Sequence, residues 1–223
     1  STNLSDYLSQ RYYGQVSQPT KTGSFLTISR LTGCEATEIA ADLVKVFKKG
    51  GRKWNVVNKE ILDKSAEMLH FERQKLEHDF ITAPGNVMDE VIKSLSMRYY
   101  VSDKKIRGTI ADIIRYEARK GNVIIIGRAG VVTTAGIPGG FHVRLVAPLE
   151  WRIEKVMNNR NVTREEAEKY IMDSDKKRIL FLERFCDKRI QDVCFDIVIN
   201  RIAFSREQTV DMILNAMNIK GLL

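Results

Sequence analysis

Cysteine is scarce in this chain: residues 34, 186 and 194 are the only three in 223, an odd set with no Cys-x-x-Cys pair. That excludes a disulfide framework and fits free thiols in a reducing cytoplasm. Histidine is equally sparse. His70, His78 and His142 stand apart without ligand spacing, and His78 beside Asp79 is the one suggestive pair, so no metal centre is expected from side chains alone. No apolar run approaches the roughly 20 residues that cross a bilayer. The opening stretch, Ser1 to Asp6, has neither the basic start nor the apolar segment of a secretory leader. A cytoplasmic protein with no membrane partner is the expectation. Acidic residues are the minority charge, 28 Asp and Glu against 36 Lys and Arg, giving a net charge of +8. Such a field attracts polyanions in general. It does not separate a nucleotide from a solvated surface, and nucleic acid is the weakest reading of it. The basic residues gather in Lys45 to Lys53, Arg98 to Arg107 and Lys176 to Arg189.

The remaining composition is that of an ordinary globular protein, 43% hydrophobic and 29% charged. Residues 1–23 are polar and Tyr-rich and read as an extension outside the fold. Ser24 to Ser29 is a short apolar strand, Gly33 marks a turn, and Ile39, Leu43, Val46 and Phe47 then share one helical face until Gly50-Gly51. Trp54 to Val57, Asn122 to Ile126, Phe141 to Ala147 and Cys194 to Ile199 read as four further strands. The run at 122–126 is continuously apolar, as a parallel strand buried on both faces should be. Thr163 with Glu166 and Ser205 with Gln208 have the spacing of capping boxes that open helices.

Strands alternating with helices predict a three-layer α/β/α domain over residues 24–223 around a five-stranded parallel sheet. Residues 71–97 carry no strand signal and read as an inserted helical segment, and 163–189 read as a long charged helical segment. Ligands of such sheets bind beyond the carboxyl ends of the strands. The turn from Ser29 to Glu38, Gly127 to Gly130, and the Ala147-Pro-Leu149 corner all lie at those ends.

A phosphate-binding loop uses glycines so that backbone N–H groups close around phosphate oxygens, a lysine for the outer phosphates, and Ser or Thr for Mg²⁺. The corresponding stretch here, Arg30-Leu-Thr-Gly-Cys-Glu-Ala-Thr-Glu38, keeps only Gly33 and has no lysine. Its order relative to Val123-Ile-Ile-Ile-Gly-Arg-Ala129, Val143 to Met157, Asp175-Lys-Lys-Arg178 and Phe195 to Asn200 resembles the cytidylate kinase-like family of P-loop proteins. The resemblance covers about Phe25 to the C-terminus.

It implies a P-loop kinase-like topology and transfer of the γ-phosphoryl of ATP, as its Mg²⁺ complex, to a nucleoside monophosphate or similar small phosphate acceptor. By the same resemblance Arg128 would anchor the acceptor phosphate. Arg178 and Arg184, with Lys177 as a spare cation, would clamp the transferring group from a lid spanning 163–189. Arg30, Gly33, Cys34 and Thr37 would meet the donor, and 58–110 would bind the acceptor, with Arg73 and Arg98 as cations there. Aligned on Gly33, the Gly-Lys-Gly-Thr of true cytidylate kinases falls on Glu35, Ala36, Thr37 and Glu38, and many cytidylate kinase-like sequences already lack that lysine. A carboxylate at position 35 is expected to repel a polyphosphate. The alternative to an enzyme is an inactive nucleotide-binding or regulatory module of the same fold.

Overall fold

The computed structural model of the chain describes residues 23–58, 104–183 and 192–223. In order these form β1 (Phe25–Arg30), α1 (Ala36–Lys49), β2 (Asn55–Val57), α2 (Lys104–Lys120), β3 (Val123–Ile126), the one-turn α3 (Gly130–Thr133), β4 (Gly140–Val146), α4 (Leu149–Arg160), α5 (Arg164–Glu183), a 3-10 turn at Asp192–Cys194, β5 (Ile197–Asn200) and α6 (Arg206–Ile219). The chain divides into two compact units. Among the described residues, Lys104–Ile113 belongs to one and all the others to the second. The sheet and the site lie wholly in the latter.

The strands line up as β2-β3-β1-β4-β5, every neighbouring pair parallel. β1 is central because it is apolar enough to be covered on both faces: Phe25, Leu26, Thr27 and Ile28 are all buried. So are the four residues of β3. On one face Leu26, Ile28, Ile124, Ile126, Val143 and Leu145 meet Ile39, Leu43 and Phe47 of α1 and Val210, Ile213 and Met217 of α6. The helical partners recur at intervals of three or four residues, the stripe an amphipathic helix turns inward. Each fully buried aliphatic side chain contributes about 1.5–3 kcal/mol. On the opposite face Gly130 of α3 packs against Ile125 and Thr27.

Helix entry and exit follow local chemistry. Thr163 and Glu166 make the reciprocal pair read from the sequence: the Thr163 N–H donates to Glu166 Oε2 at 2.9 Å and the Glu166 N–H to Thr163 Oγ1 at 3.3 Å. Ser205 and Gln208 do the same for α6. Pro148 stands one residue before α4 as its N-cap. α4 and α5 fold against each other through Ile153, Val156, Ala167 and Ile171. The fifth strand begins at Ile197, three residues later than the sequence suggests, because Asp192–Cys194 coil into a 3-10 turn and the Phe195 N–H bonds back to the Asp192 carbonyl. Most of the expected insertion at 58–110, all but Gly23 of the expected extension 1–23, and the end of the expected lid at 163–189 lie outside the described residues.

Candidate phosphate-binding site

The carboxyl ends of β1 and β3 sit side by side, and the turns that leave them form the site. From β1 the chain passes through Leu31 to Glu35 into α1. Gly33 takes φ of +90°, and a Cβ there would lie 3.0 Å from the Arg152 carbonyl oxygen, so only glycine lets this turn rest on α4. Glu35 is the N-cap of α1 in the left-handed region, φ 56° and ψ 34°. A side chain in that conformation costs about 1–2 kcal/mol.

An ion pair offsets that cost. Glu35 Oε2 lies 3.0 Å from Arg201 Nη2, and Glu35 Oε1 lies 3.3 Å from Lys155 Nζ. Arg201, in the turn after β5, keeps 3% of its surface exposed, and its other guanidinium nitrogen Nη1 donates to the Phe204 carbonyl at 2.6 Å and to Thr209 Oγ1. The expected repulsion between Glu35 and an incoming polyphosphate is therefore not what the geometry provides. The carboxylate is held by two cations.

A second carboxylate organises the inner wall. Asp175, on α5, accepts from the Thr32 N–H at 2.8 Å and the Thr32 hydroxyl at 2.6 Å through Oδ1, and from Arg152 Nη1 at 2.7 Å through Oδ2. Arg152 is 8% exposed and also donates to the Ala147 carbonyl at 3.1 Å. Arg178, one turn along α5, donates to Asp175 Oδ1 at 3.1 Å and to the Thr32 hydroxyl. One aspartate thus ties α5 to both the loop and α4, and fixes the Arg178 guanidinium.

Arg30 closes the constellation. Its guanidinium lies so near the β3 turn that a Cβ on Gly127 would sit 2.0 Å from Arg30 Nη1. Burial, then the charges of Arg178 and Arg128, push the Arg30 guanidinium down to about 10. Three arginines, Arg30, Arg128 and Arg178, therefore act on one another here, with Asp175 holding Arg178, and planar guanidinium groups gathered in this way suit a phosphate. Beside it opens a cleft of about 230 Å³ bounded by the 30–38 turn, α4 and α5, with Arg30 and Arg178 in its wall.

Of the residues predicted as donor contacts, Arg30, Gly33, Cys34 and Thr37 all border this cleft. They do not offer the same chemistry. Thr37 is exposed on the first turn of α1. Cys34 is 1% exposed, its N–H is engaged by the Leu31 carbonyl at 3.3 Å, and burial raises its thiol to about 11, so it is an inert turn residue. Ala36, aligned with the lysine of true cytidylate kinases, is buried. Arg128 follows Gly127 with φ of 52° and its guanidinium lies 4.8 Å from the Phe181 ring centroid. Lys177 is exposed on α5 and does not line the cleft. Arg184, Arg73 and Arg98 lie outside the described residues. Arg152, Asp175 and Arg201 are site residues that the sequence does not mark as such: Arg152 falls within the 143–157 stretch and Asp175 opens the 175–178 motif, while Arg201 lies one residue beyond the motif that ends at Asn200. Among the described residues no group of three or more His, Cys, Asp or Glu side chains is placed to hold a metal ion. Among them, too, no helix is long and apolar enough to cross a membrane.

The contact between Arg30 and Gly127 is testable. Gly127 has φ of +71°, so Gly127→Ala both strains the turn and displaces the guanidinium. The expected result is a stability loss of about 1–2 kcal/mol together with weakened binding of pyrophosphate, read by urea unfolding and calorimetry. Unchanged pyrophosphate affinity would argue that Arg30 is not part of the anion site.

A parallel sheet ordered β2-β3-β1-β4-β5, with the central strand entering a helix through a glycine turn, is the fold of the P-loop kinases. The chain belongs to the cytidylate kinase-like family, whose profile matches residues 25–202. Among solved structures it is similar to an uncharacterized protein from Eubacterium ventriosum ATCC 27560, with a TM-score of 0.63 and 16% identity over 87% of this chain and 98% of that one. It is also similar to a sugar kinase from Janibacter sp. HTCC2649, with a TM-score of 0.51 and 14% identity over 88% of this chain and 95% of that one. No curated protein matches the sequence.

Proposed function

We propose that this protein is a P-loop phosphotransferase that moves the γ-phosphoryl group of a nucleoside triphosphate to a nucleoside monophosphate or similar small phosphate acceptor. The family and the fold support a phosphotransferase of the P-loop kind. The observation that carries the finer reading is the convergence of Arg30, Arg128 and Arg178 at the ends of β1 and β3. Phosphoryl transfer asks little covalent chemistry of a protein and depends on cations positioned around the transferring group. Arg178 is held by Asp175, and Arg30 supplies a cation in the wall of a cleft whose loop carries no lysine.

The donor set also fits a magnesium ion. Mg²⁺ is usually held by one or two protein oxygens and the substrate phosphates, keeping several waters. Thr37 and Glu38, both exposed on the first turn of α1 and bordering the cleft, would hold it. Bound there it would neutralise charge on the donor phosphates.

The test is a phosphotransfer screen of ATP and Mg²⁺ against a panel of nucleoside monophosphates, run beside Arg128→Ala and the double variant Glu35→Gly, Ala36→Lys. Turnover by the natural chain, reduced ~10- to 100-fold in Arg128→Ala as expected for a lost charged hydrogen bond, supports the reading. A second reading, a nucleotide-binding module without catalysis, is favoured by Glu35 and Ala36 where true cytidylate kinases carry glycine and lysine. Nucleotide binding without turnover, with activity appearing only in the double variant, would establish that reading instead.

A further inference from the structure

The cleft is also lined by Arg160 and Tyr170, which the phosphate site described above does not use. Arg160 is the last residue of α4, where Asn161 with φ of 53° ends the helix, and Tyr170 lies on α5 across the turn. The Arg160 guanidinium carbon sits 4.0 Å from the Tyr170 ring centroid, a contact close enough for a stacked pair. Both border the same cleft as Arg30 and Arg178, and both are solvent-exposed. Tyr170 also lies close enough to Arg30 to favour its charged form, so this one side chain links the rim to the arginine cluster.

From this arrangement we infer that the Arg160–Tyr170 stack is a shelf for the nucleobase of a nucleotide whose phosphate rests at Arg30 and Arg178. The inference builds on the phosphotransferase reading and adds where the base lies and how it is recognised. Arg160 lies over the Tyr170 ring, and because both side chains are exposed and border the cleft, a third flat group can join the pair. Guanidinium and aromatic planes stack on any base, since every base has a π-face. The polar neighbour on the same rim is Asn159, whose amide both donates and accepts and so pairs with either a purine or a pyrimidine edge. The shelf therefore binds the base without choosing among bases.

Calorimetric titration of the full chain with ribose 5-phosphate, CMP and AMP tests this, because the three ligands share the phosphate and differ in the base. The expected result is that CMP and AMP bind ~10-fold or more tightly than ribose 5-phosphate and within a fewfold of each other. In Arg160→Ala that advantage disappears while ribose 5-phosphate binds as before. Arg160→Lys keeps the charge without the plane and should behave like the alanine variant. Equal affinities for all three ligands, or a full base advantage in Arg160→Lys, would overturn the shelf while leaving the anion site standing. Failure of ribose 5-phosphate and both nucleotides to bind at all would overturn the anion site and the phosphotransferase reading with it.

Discussion

Replacing Arg30 with methionine is expected to lower phosphate-ligand affinity by ~100-fold, the scale for deleting one partner of a buried charged contact, while leaving the protein at least as stable as before. The two effects have one cause. The Arg30 guanidinium is half-buried and feels the charges of two other arginines, and desolvation together with that repulsion pushes it down to about 10. Its folded value lies below its unfolded value, so the unfolded chain holds the proton more tightly and the charge opposes folding at every pH below about 10. That opposition is relieved only as the pH rises from there toward the unfolded value. Methionine keeps the aliphatic bulk and removes the charge. The thermal midpoint should stay level or rise, by ~2–4 °C for each kcal/mol regained in a protein of this size. A large fall in the midpoint with pyrophosphate binding intact would mean that Arg30 is a structural ion-pair partner.

Asp175→Ala should produce the largest loss of stability within the site. Its side chain is 16% exposed and faces the Arg152 guanidinium at 2.7 Å, itself 9% exposed as a side chain. Removing one member of such a pair strands the other charge, a cost of about 3–5 kcal/mol. The alanine variant also leaves the Thr32 N–H without its acceptor. The double variant Arg152→Met, Asp175→Leu removes both charges and should recover most of the loss in urea unfolding, since apolar replacement of a whole buried pair is often neutral. If the double variant is no more stable than Asp175→Ala, the ion pair is not the source of the effect. Catalysis should distinguish the same variants differently: neither supplies the anchor that holds Arg178, so both should lose turnover even where stability returns.

The strands, the helices and both capping boxes were readable because each depends on residues close in sequence. Ser205 finds Gln208 three positions on, and Ile39, Leu43 and Phe47 repeat along one helix. The site was readable only as a set of charges. Arg30, Arg128 and Arg178 could be named from motif order, but what each faces is set by partners far along the chain. Thr32 and Asp175 are 143 residues apart, and Glu35 and Arg201 are 166 apart. No local pattern announces such pairs. Glu35 shows the difference most plainly: its charge was legible and its direction was not. Read as an obstacle to polyphosphate, it turns instead toward Arg201 and Lys155. The start of β5 was misjudged for a related reason, since the apolar Cys194-Phe195 pair suits a strand until the Asp192 carbonyl captures the Phe195 N–H.

The bond from the Thr32 amide to Asp175 makes one backbone proton in the loop a reporter on α5. A loop amide facing a cleft ordinarily exchanges with solvent in step with local fluctuation, but this one is shielded by a carboxylate that belongs to another helix. Its hydrogen-exchange rate therefore measures how often α5 lifts from the loop. Any ligand that draws α5 inward should slow that single amide, and one that pries it away should release it, so opening and closing become visible without a label.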